Sequence, residues 1–235
     1  MKLKRTLLLS FGLVALACSG QKLDGGSEGS ILVRQALAPG KDAQTACDFQ
    51  PVATWPSLSD GTLDIGVRGD YSARLLVEAK DGAAMRIEKA HVRLLDGDSD
   101  GPVITEGDVD ANGFVDAGGL AVVTVRAIGF DTSASLEASL PTRTTVRRVV
   151  AEISVAASPG TSDNAVTAPV FRLPVNVCNG CLVSFSDAND PAVLPQPNCG
   201  MPLGQSLRMP CVAGQDEPVP CQACTGRAAC DPAHP

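Results

Sequence analysis

The amino-acid sequence predicts an all-β protein, an antiparallel immunoglobulin-like β-sandwich followed by an irregular, disulfide-rich C-terminal tail. Three observations support this prediction. Short segments in the middle of the chain alternate apolar and polar residues with period two. Clusters of Gly, Asp, Ser and Pro separate these segments, and seven of the nine cysteines follow residue 177. No segment between residues 31 and 177 predicts a helix.

The chain begins with a short apolar segment behind a basic start. Three of the first five residues are Lys or Arg, residues 7–16 are mostly apolar, and small residues at Ala15 and Ala17 precede Cys18. An apolar segment of about ten residues has the length of a signal peptide core, whereas a membrane-spanning helix needs about twenty. We therefore predict a signal over residues 1–17. An ordinary secretory signal, in which Cys18 has no role, is the alternative.

This segment resembles the signal sequences of bacterial lipoproteins over roughly the first twenty residues. Ala15 stands where that family usually has Leu. The resemblance implies cleavage before Cys18, a diacylglycerol in thioether linkage on its sulfur, and an acyl chain such as palmitate on the new amino group. Ser19 stands where an inner-membrane retention signal would have Asp, so the resemblance implies the outer membrane, on its periplasmic or its surface face.

Composition divides the rest of the chain into three regions. Residues 18–30 are the lipidated start and a Gly- and Ser-rich flexible tether, residues 31–177 are the β-sandwich, and residues 178–235 are the cysteine-rich tail. No later segment is long and apolar enough to cross a bilayer. The lipid on Cys18 is therefore the predicted contact with the membrane.

The charge balance bears on the partners. Without the three basic residues of the signal, 16 basic residues face 26 acidic ones, a net charge of −10. A strongly acidic chain is repelled by phosphate backbones and anionic lipid surfaces. We therefore expect no nucleic-acid partner and predict an unidentified protein partner in the cell envelope.

Strand patterns recur along the body. Residues 71–79 show the clearest alternation, with Leu76 the only apolar residue on the outer face, and Pro174 predicts an edge strand because it cannot donate to a sheet. The spacing of Cys, Trp and Cys in true immunoglobulin domains is absent around Trp55, so the likeness is one of architecture. The predicted strands are residues 31–34, 63–68, 71–79, 90–94, 103–105, 120–128, 149–155 and 171–177.

Setting Cys18 aside leaves an even number of cysteines, as a disulfide framework in an exported protein requires. The sequence leaves the pairing open. However, the tail holds an odd number of them, so full oxidation requires at least one bridge from the tail to Cys47. The eight disulfide candidates are Cys47, Cys178, Cys181, Cys199, Cys211, Cys221, Cys224 and Cys230.

Two Cys-x-x-Cys pairs leave other chemistry open. Cys178 with Cys181 and Cys221 with Cys224 could together hold a tetrahedral zinc ion, although an oxidising compartment favours disulfides over the free thiolates that zinc requires. A thioredoxin-like redox role is a further alternative, but no βαβ pattern precedes either pair. Structural disulfides are the favoured interpretation.

Two acidic segments match the first half of a calcium-binding loop, with oxygen-bearing side chains at positions one, three and five and Gly at position six. They start at Asp96 and at Asp108, and both lack the bidentate Glu at position twelve. Acidic turns between strands are the favoured interpretation, because Asp, Asn and Gly are also common in turns. If calcium binds, the better ligand candidates are Asp108, Asp110, Asn112 and Asp116.

We predict no catalytic residue and no other cofactor. His91 lies on the polar face of a predicted strand, His234 is next to the C-terminus, and no Gly-x-Ser-x-Gly motif is present. A pair of catalytic carboxylates stays open, although aromatic platforms for a sugar are scarce.

The leading hypothesis is a lipid-anchored, non-enzymatic binding or structural module of the envelope. Residues 174–185 (PVNVCNGCLVSF), followed by the Cys- and Pro-rich tail, resemble uncharacterised envelope lipoproteins that join a β-rich body to a cysteine-rich end. That resemblance implies an envelope location and no particular activity. The alternatives are a calcium-dependent adhesion or assembly module, and an envelope hydrolase or redox protein.

Overall fold

The computed structural model describes residues 30–42, 45–80, 82–160, 165–185, 199 and 209–233. The predicted signal, Cys18, most of the tether and His234 lie outside these residues, as do long parts of the cysteine-rich tail. Within the described ranges, no helix has both the length and the apolar character needed to cross a membrane.

The described residues form an all-β protein with one short helix, which confirms the predicted fold class. The strands are β1 Ser30–Ala36, β2 Gly61–Asp64, β3 Tyr71–Lys80, β4 Met85–Asp96, β5 Val103–Val115, β6 Leu120–Ile128, β7 Val146–Pro159, β8 Val166–Thr167, β9 Phe171–Cys178, β10 Val183–Ser184 and β11 Val219–Pro220. The helix α1 is Phe130–Glu137, and two 3₁₀ turns follow in the tail at Cys221–Cys224 and Ala228–Cys230.

The strands of the body form two sheets that share one core. A three-stranded antiparallel sheet has the order β1-β3-β6, and the larger sheet has the order β2-β9-β7-β4-β5 with β8 beside β7. Two pairs depart from the antiparallel prediction, because β2 runs parallel to β9 and β10 runs parallel to β11. Buried side chains of both sheets belong to a single apolar cluster, as in a sandwich.

Alternation along the strands fills this core. In β3, Tyr71, Ala73, Leu75, Val77 and Ala79 face the larger sheet and are 0–2% exposed. Leu76, which the alternation places on the outer face, is also buried. The connection from β1 to β2 lies over that face, because the guanidinium of Arg74 stacks 4.9 Å from the ring centroid of Phe49.

The sequence prediction missed or misplaced several elements. Helix α1 was not predicted because it is only eight residues long and buries only Ser133 and Leu136. Strand β5 is far longer than the predicted 103–105. The edge-strand prediction from Pro174 is wrong, because β9 lies between β2 and β7. Pro174 pairs with Val150 of β7 but lies outside the residues of β9 that pair with β2, so on that side its missing N–H breaks no strand pairing.

One disulfide attaches the tail to the body, and three more lie within the tail. Cys47–Cys211 joins the tail to the loop after β1, which confirms the bridge that the odd cysteine count predicted. The remaining bridges, Cys178–Cys181, Cys199–Cys221 and Cys224–Cys230, lie within the region after residue 177. All eight candidates are therefore paired, and neither Cys-x-x-Cys pair presents free thiolates to a zinc ion.

We predict that the bridges differ widely in their contribution to stability. A bridge across a sequence separation of 164 residues restricts the unfolded chain by about 5 kcal/mol in the loop-entropy model, whereas one across 3 residues contributes about 2 kcal/mol. The double variant Cys47→Ala/Cys211→Ala should therefore melt roughly 10 °C or more below the parent protein. Cys178→Ala/Cys181→Ala is the matched control, and an equal or larger loss in that variant would contradict the prediction.

Candidate functional site

The segment after Cys211 docks on one end of the sandwich through two neighbouring side chains. The side-chain amide of Gln215 donates to the carbonyl of Ser72 at 2.9 Å and accepts from the Ser72 N–H at 3.0 Å. The carboxylate of Asp216 accepts from the Thr62 N–H at 2.8 Å and from the Tyr71 hydroxyl at 3.2 Å. These bonds satisfy backbone groups of Thr62 in β2 and Ser72 in β3. They also order a segment that has too few apolar residues to fold alone.

Burial governs the ionisation of this contact. Loss of solvent raises the pKa of Asp216, and this exceeds the lowering by its hydrogen bonds to Thr62, Gln215 and Tyr71. Burial also raises the pKa of Tyr71, with a further increase from the negative charge of Asp216. The Tyr71 hydroxyl therefore stays protonated and donates a hydrogen bond to the carboxylate of Asp216.

A groove of about 760 Å³ runs between this docked segment and the outer face of the three-stranded sheet. Its floor is formed by Ser72 and Arg74 of β3 and by Thr124 and Arg126 of β6. One wall is the loop between β2 and β3 together with Phe130 at the start of α1. The other wall belongs to the tail, which contributes Cys211, Val212, Ala213 and Arg227.

The groove is rich in arginine, although the chain as a whole is acidic. Arg68, Arg74, Arg126 and Arg227 line it, and Asp70 is the single carboxylate among its lining residues. We call this feature the arginine groove.

The side chains of the arginine groove are arranged by ion pairs and ring contacts. Asp70 is almost buried; it binds Arg68 at 2.9 Å and lies 3.8 Å from Arg126. Arg126 also stacks 5.9 Å from the ring centroid of Phe130, a residue that is 60% exposed. Among the described residues, the guanidinium of Arg227 has no ion-pair or hydrogen-bond partner. The arginine groove thus contains both a positive charge without an acidic partner, on Arg227, and an exposed aromatic ring, on Phe130.

A second cavity of about 390 Å³ continues the arginine groove toward β5. It shares Ser72, Thr124 and Arg126 with the arginine groove and adds Asp108 and Asp110. Two of the predicted calcium ligands therefore face an arginine.

The predicted calcium loops have other conformations in the structure. Residues 97–101 form the turn between β4 and β5, and Asp96, the last residue of β4, binds Arg147 through two hydrogen bonds of 2.8 and 2.9 Å. That ion pair lowers the pKa of Asp96 and raises the pKa of Arg147. The turn interpretation is correct for this segment.

The second segment is a strand and not a turn. Asp108, Asp110 and Asn112 lie on the exposed face of β5, and Asp116 follows the strand. Alternate residues of a strand lie about 7 Å apart, so these oxygens line up along β5 and do not converge as in a calcium loop. Both the turn and the loop conformation are therefore wrong here, and calcium binding stays a prediction.

His91 is exposed on β4, as its pattern predicted, and it has two acidic partners. Its ring nitrogens lie 2.9 Å from an oxygen of Asp108 and 3.0 Å from one of Glu106. These hydrogen bonds raise the pKa of His91, the bond to Asp108 most. His91 and Asp108 are thus joined in a cross-strand ion pair.

A separate buried cluster lies where β2 ends. The carboxylate of Asp64, which is fully buried, accepts from the N–H groups of Gly180 at 2.7 Å, Leu182 at 2.9 Å and Gly66 at 3.1 Å. It therefore clamps the turn that contains the Cys178–Cys181 bridge. One carboxylate oxygen and both sulfurs lie within 4.8 Å of one another.

Burial and hydrogen bonding act in opposite directions on the pKa of Asp64. Burial raises the pKa of Asp64, and the hydrogen bonds from Gly180, Leu182 and Gly66 lower it by less. The two cysteines differ in exposure, because Cys178 at the end of β9 is buried and Cys181 in the turn is exposed. The cluster therefore joins an exposed half-cystine, a buried half-cystine and a buried carboxyl group.

Sequence reasoning found the cysteines of this cluster but none of its polar partners. Asp64 stands between apolar residues in a short strand, a pattern that signals a buried polar residue without naming its partners. Gln215 and Asp216 lie in a segment of turn-like composition, more than 140 residues from the atoms they bind.

Comparisons with known proteins give only distant similarities. No protein-family model matches the chain, and no curated protein matches it. A solved structure of a putative late embryogenesis abundant protein is 12% identical, with a TM-score of 0.37, over 68% of this chain and 76% of that one. A protein from Archaeoglobus fulgidus is 11% identical, with a TM-score of 0.31, over 47% and 87%. PapD-like domain 7 of human CEP192 is 11% identical, with a TM-score of 0.27, over 56% and 92%.

We predict a pH-dependent contribution of Asp216 to stability. A carboxyl whose pKa is raised by folding stabilises the native state most below its unfolded pKa, near 3.8, and loses that contribution as the pH rises through the folded pKa. Asp216→Asn retains an acceptor for Thr62 and Tyr71 but cannot ionise. The difference in unfolding free energy, variant minus parent, should therefore rise from pH 4 toward pH 7 in urea titrations.

Asp131→Asn, which alters an exposed carboxylate in the first turn of α1, is the matched control and should show no such rise. A difference between Asp216→Asn and the parent that stays constant across this pH range would mean that burial does not control the ionisation of Asp216.

Proposed function

We propose that the protein is a lipid-anchored, non-enzymatic binding module of the cell envelope, and that it binds an acidic segment of a partner protein in the arginine groove. One observation carries the proposal: the arginine groove gathers four arginines and an exposed Phe130 on a chain with net charge −7. Such a surface favours carboxylates, which guanidinium groups bind through paired, charge-assisted hydrogen bonds.

The shape of the arginine groove favours a peptide over a single small anion. Arg74 and Arg126 lie on the floor, whereas Arg68 and Arg227 belong to opposite walls, so the positive groups are distributed along the groove. Phe130 offers an apolar contact that a bare anion cannot use. A segment with several Asp or Glu residues and one apolar side chain matches both features.

The anchor is the second part of the proposal, and it rests on the basic, apolar start of the sequence and on Cys18. Acylation at Cys18 with more than one chain would hold the protein durably at a bilayer, because each buried methylene contributes about 0.8 kcal/mol. The tether to residue 30 would then hold the arginine groove near the membrane while leaving it free to reorient.

The anchor is tested by exchanging the signal. A chain whose residues 1–18 are replaced by an ordinary secretory signal should be recovered in the soluble periplasmic or secreted fraction, whereas the parent stays with the outer membrane. Mass spectrometry of the parent should show a mature N-terminus at Cys18 carrying acyl chains. Recovery of both proteins in the same fraction, or an unmodified Cys18, would disprove the lipid anchor.

The groove is tested with short fluorescent peptides and the mature protein. A Glu-rich peptide with one Phe should bind, and Arg126→Gln and Arg227→Gln should each weaken binding about ten-fold, the loss expected from one charge-assisted contact. Arg86→Gln is the matched control, because Arg86 is an exposed arginine of β4 outside the arginine groove. Affinity should also fall as salt is raised, since surface charge pairs are screened.

Three results would count against the acidic partner. The first is equal binding of a Lys-rich peptide, and the second is an equal loss of affinity in Arg86→Gln. The third is that inorganic phosphate displaces the peptide when the phosphate concentration only equals the total concentration of peptide carboxylates. The last result would point to a simple anion site in place of a peptide groove.

A further inference from the structure

The Cys178–Cys181 bridge has features that a purely structural bridge does not need. It closes the shortest loop of the four bridges, so it restrains the unfolded chain least. Its turn is already held by hydrogen bonds to Asp64 and by the pairing of β9 with β2 and β7. The bridge can therefore open without removing the contacts that maintain the local fold.

Access to the two sulfurs is unequal. Cys181 is exposed in the turn, whereas Cys178 is buried at the end of β9 beside the carbonyl of Leu63. Attack by an external thiolate is therefore expected at Cys181, the exposed partner, with the sulfur of Cys178 as the leaving group. A buried thiolate is unfavourable unless a proton reaches it, because a desolvated charge is costly.

Asp64 can supply that proton. It lies within 4.8 Å of both sulfurs, and it is the single carboxylate in the described ranges that forms such a group with cysteines. Burial shifts it toward the protonated form. Other charged groups near the turn are Arg143, whose side chain packs against Gly180 and stacks on Phe185, and Asp216 with Tyr71 on the far side of Thr62.

We propose that Cys178 and Cys181 form a thiol–disulfide exchange site that accepts two electrons from a dithiol, with Asp64 protonating the sulfur of Cys178. A thiolate of the dithiol attacks the sulfur of Cys181, the S–S bond breaks, and its electron pair passes to the sulfur of Cys178, which takes the proton of Asp64. The second thiol of the dithiol then attacks the first sulfur of the same dithiol, the S–S bond to Cys181 breaks, and the departing sulfur of Cys181 takes the proton that the second thiol gives up. The dithiol becomes a disulfide, the protein gains two thiols, and Asp64 recovers a proton from water.

The test is selective reduction of the mature protein by dithiothreitol, followed by differential alkylation and mass spectrometry of each bridge. Cys178–Cys181 should open at least ten-fold faster than Cys47–Cys211, whose Cys47 is also exposed, and the circular dichroism spectrum should not change. Simultaneous opening of all bridges, or loss of the folded spectrum when Cys178–Cys181 opens, would overturn the proposal.

The role of Asp64 has its own readout. When rates are divided by the thiolate concentration, opening in the parent should slow as the pH rises through the folded pKa of Asp64, because the protonated form is lost. Asp64→Asn should open more slowly at the acidic end and without this dependence. Asp131→Asn, which changes an exposed carboxylate of α1 that is not part of this cluster, should behave as the parent. An unchanged pH profile in Asp64→Asn would remove Asp64 from the mechanism.

A peptide with two cysteine thiols, compared with dithiothreitol at equal thiolate concentration, identifies the source of the dithiol. Faster opening by the peptide indicates a protein donor, and equal rates indicate a small molecule; both support exchange with a dithiol. Failure of both to open the bridge in the folded protein would refute it. These results are independent of the arginine groove, because none of the measurements involves an acidic peptide.

Discussion

The hydrogen bonds of the Asp64 carboxylate are the constraint on which this end of the molecule depends. An isolated buried carboxylate costs several kcal/mol, and three backbone N–H groups offset that cost here. Two of them belong to the turn after β9, so the same atoms that satisfy Asp64 fix the Cys178–Cys181 turn. The third comes from Gly66, where the loop toward β3 begins. The side chain of Asp64 thus joins the larger sheet to the Cys178–Cys181 turn and to the loop that forms one wall of the arginine groove.

The tail depends on the sandwich and not on a core of its own. Its small apolar cluster contains Val183, Val219 and three half-cystines, and it is completed by Val67 from the body. Gln215 and Asp216 supply the polar part of the contact by satisfying backbone groups at the ends of β2 and β3. The arginine groove is a consequence of this docking, because one of its walls exists only while the tail is in place.

Much of the sandwich could be predicted because the alternation of apolar and polar residues along a strand can be read from a short segment of sequence. Residues 71–79 show it clearly, and the bridge to Cys47 followed from counting cysteines alone. The segment from Asp108 to Asn112 was misread, since Asp, Asn and Gly favour turns, yet Val109 and Ala111 alternate with them and pack inward. Asp64, Gln215 and the arginine groove could not be predicted, because their partners are distant in sequence and only the fold brings them together.

The two proposed activities occupy one end of the molecule but depend on different bridges. Cys211 lies in a wall of the arginine groove and is tied to Cys47, so that bridge fixes the position of the wall. Cys178–Cys181 lies on the other side of Asp64, whose bond to Gly66 needs neither sulfur. Opening the exchange site should therefore leave the loop at Val67 and the groove intact, whereas breaking Cys47–Cys211 should weaken binding without altering the exchange site. The short bridge can change its redox state because the long one, together with Asp64, holds the fold around it.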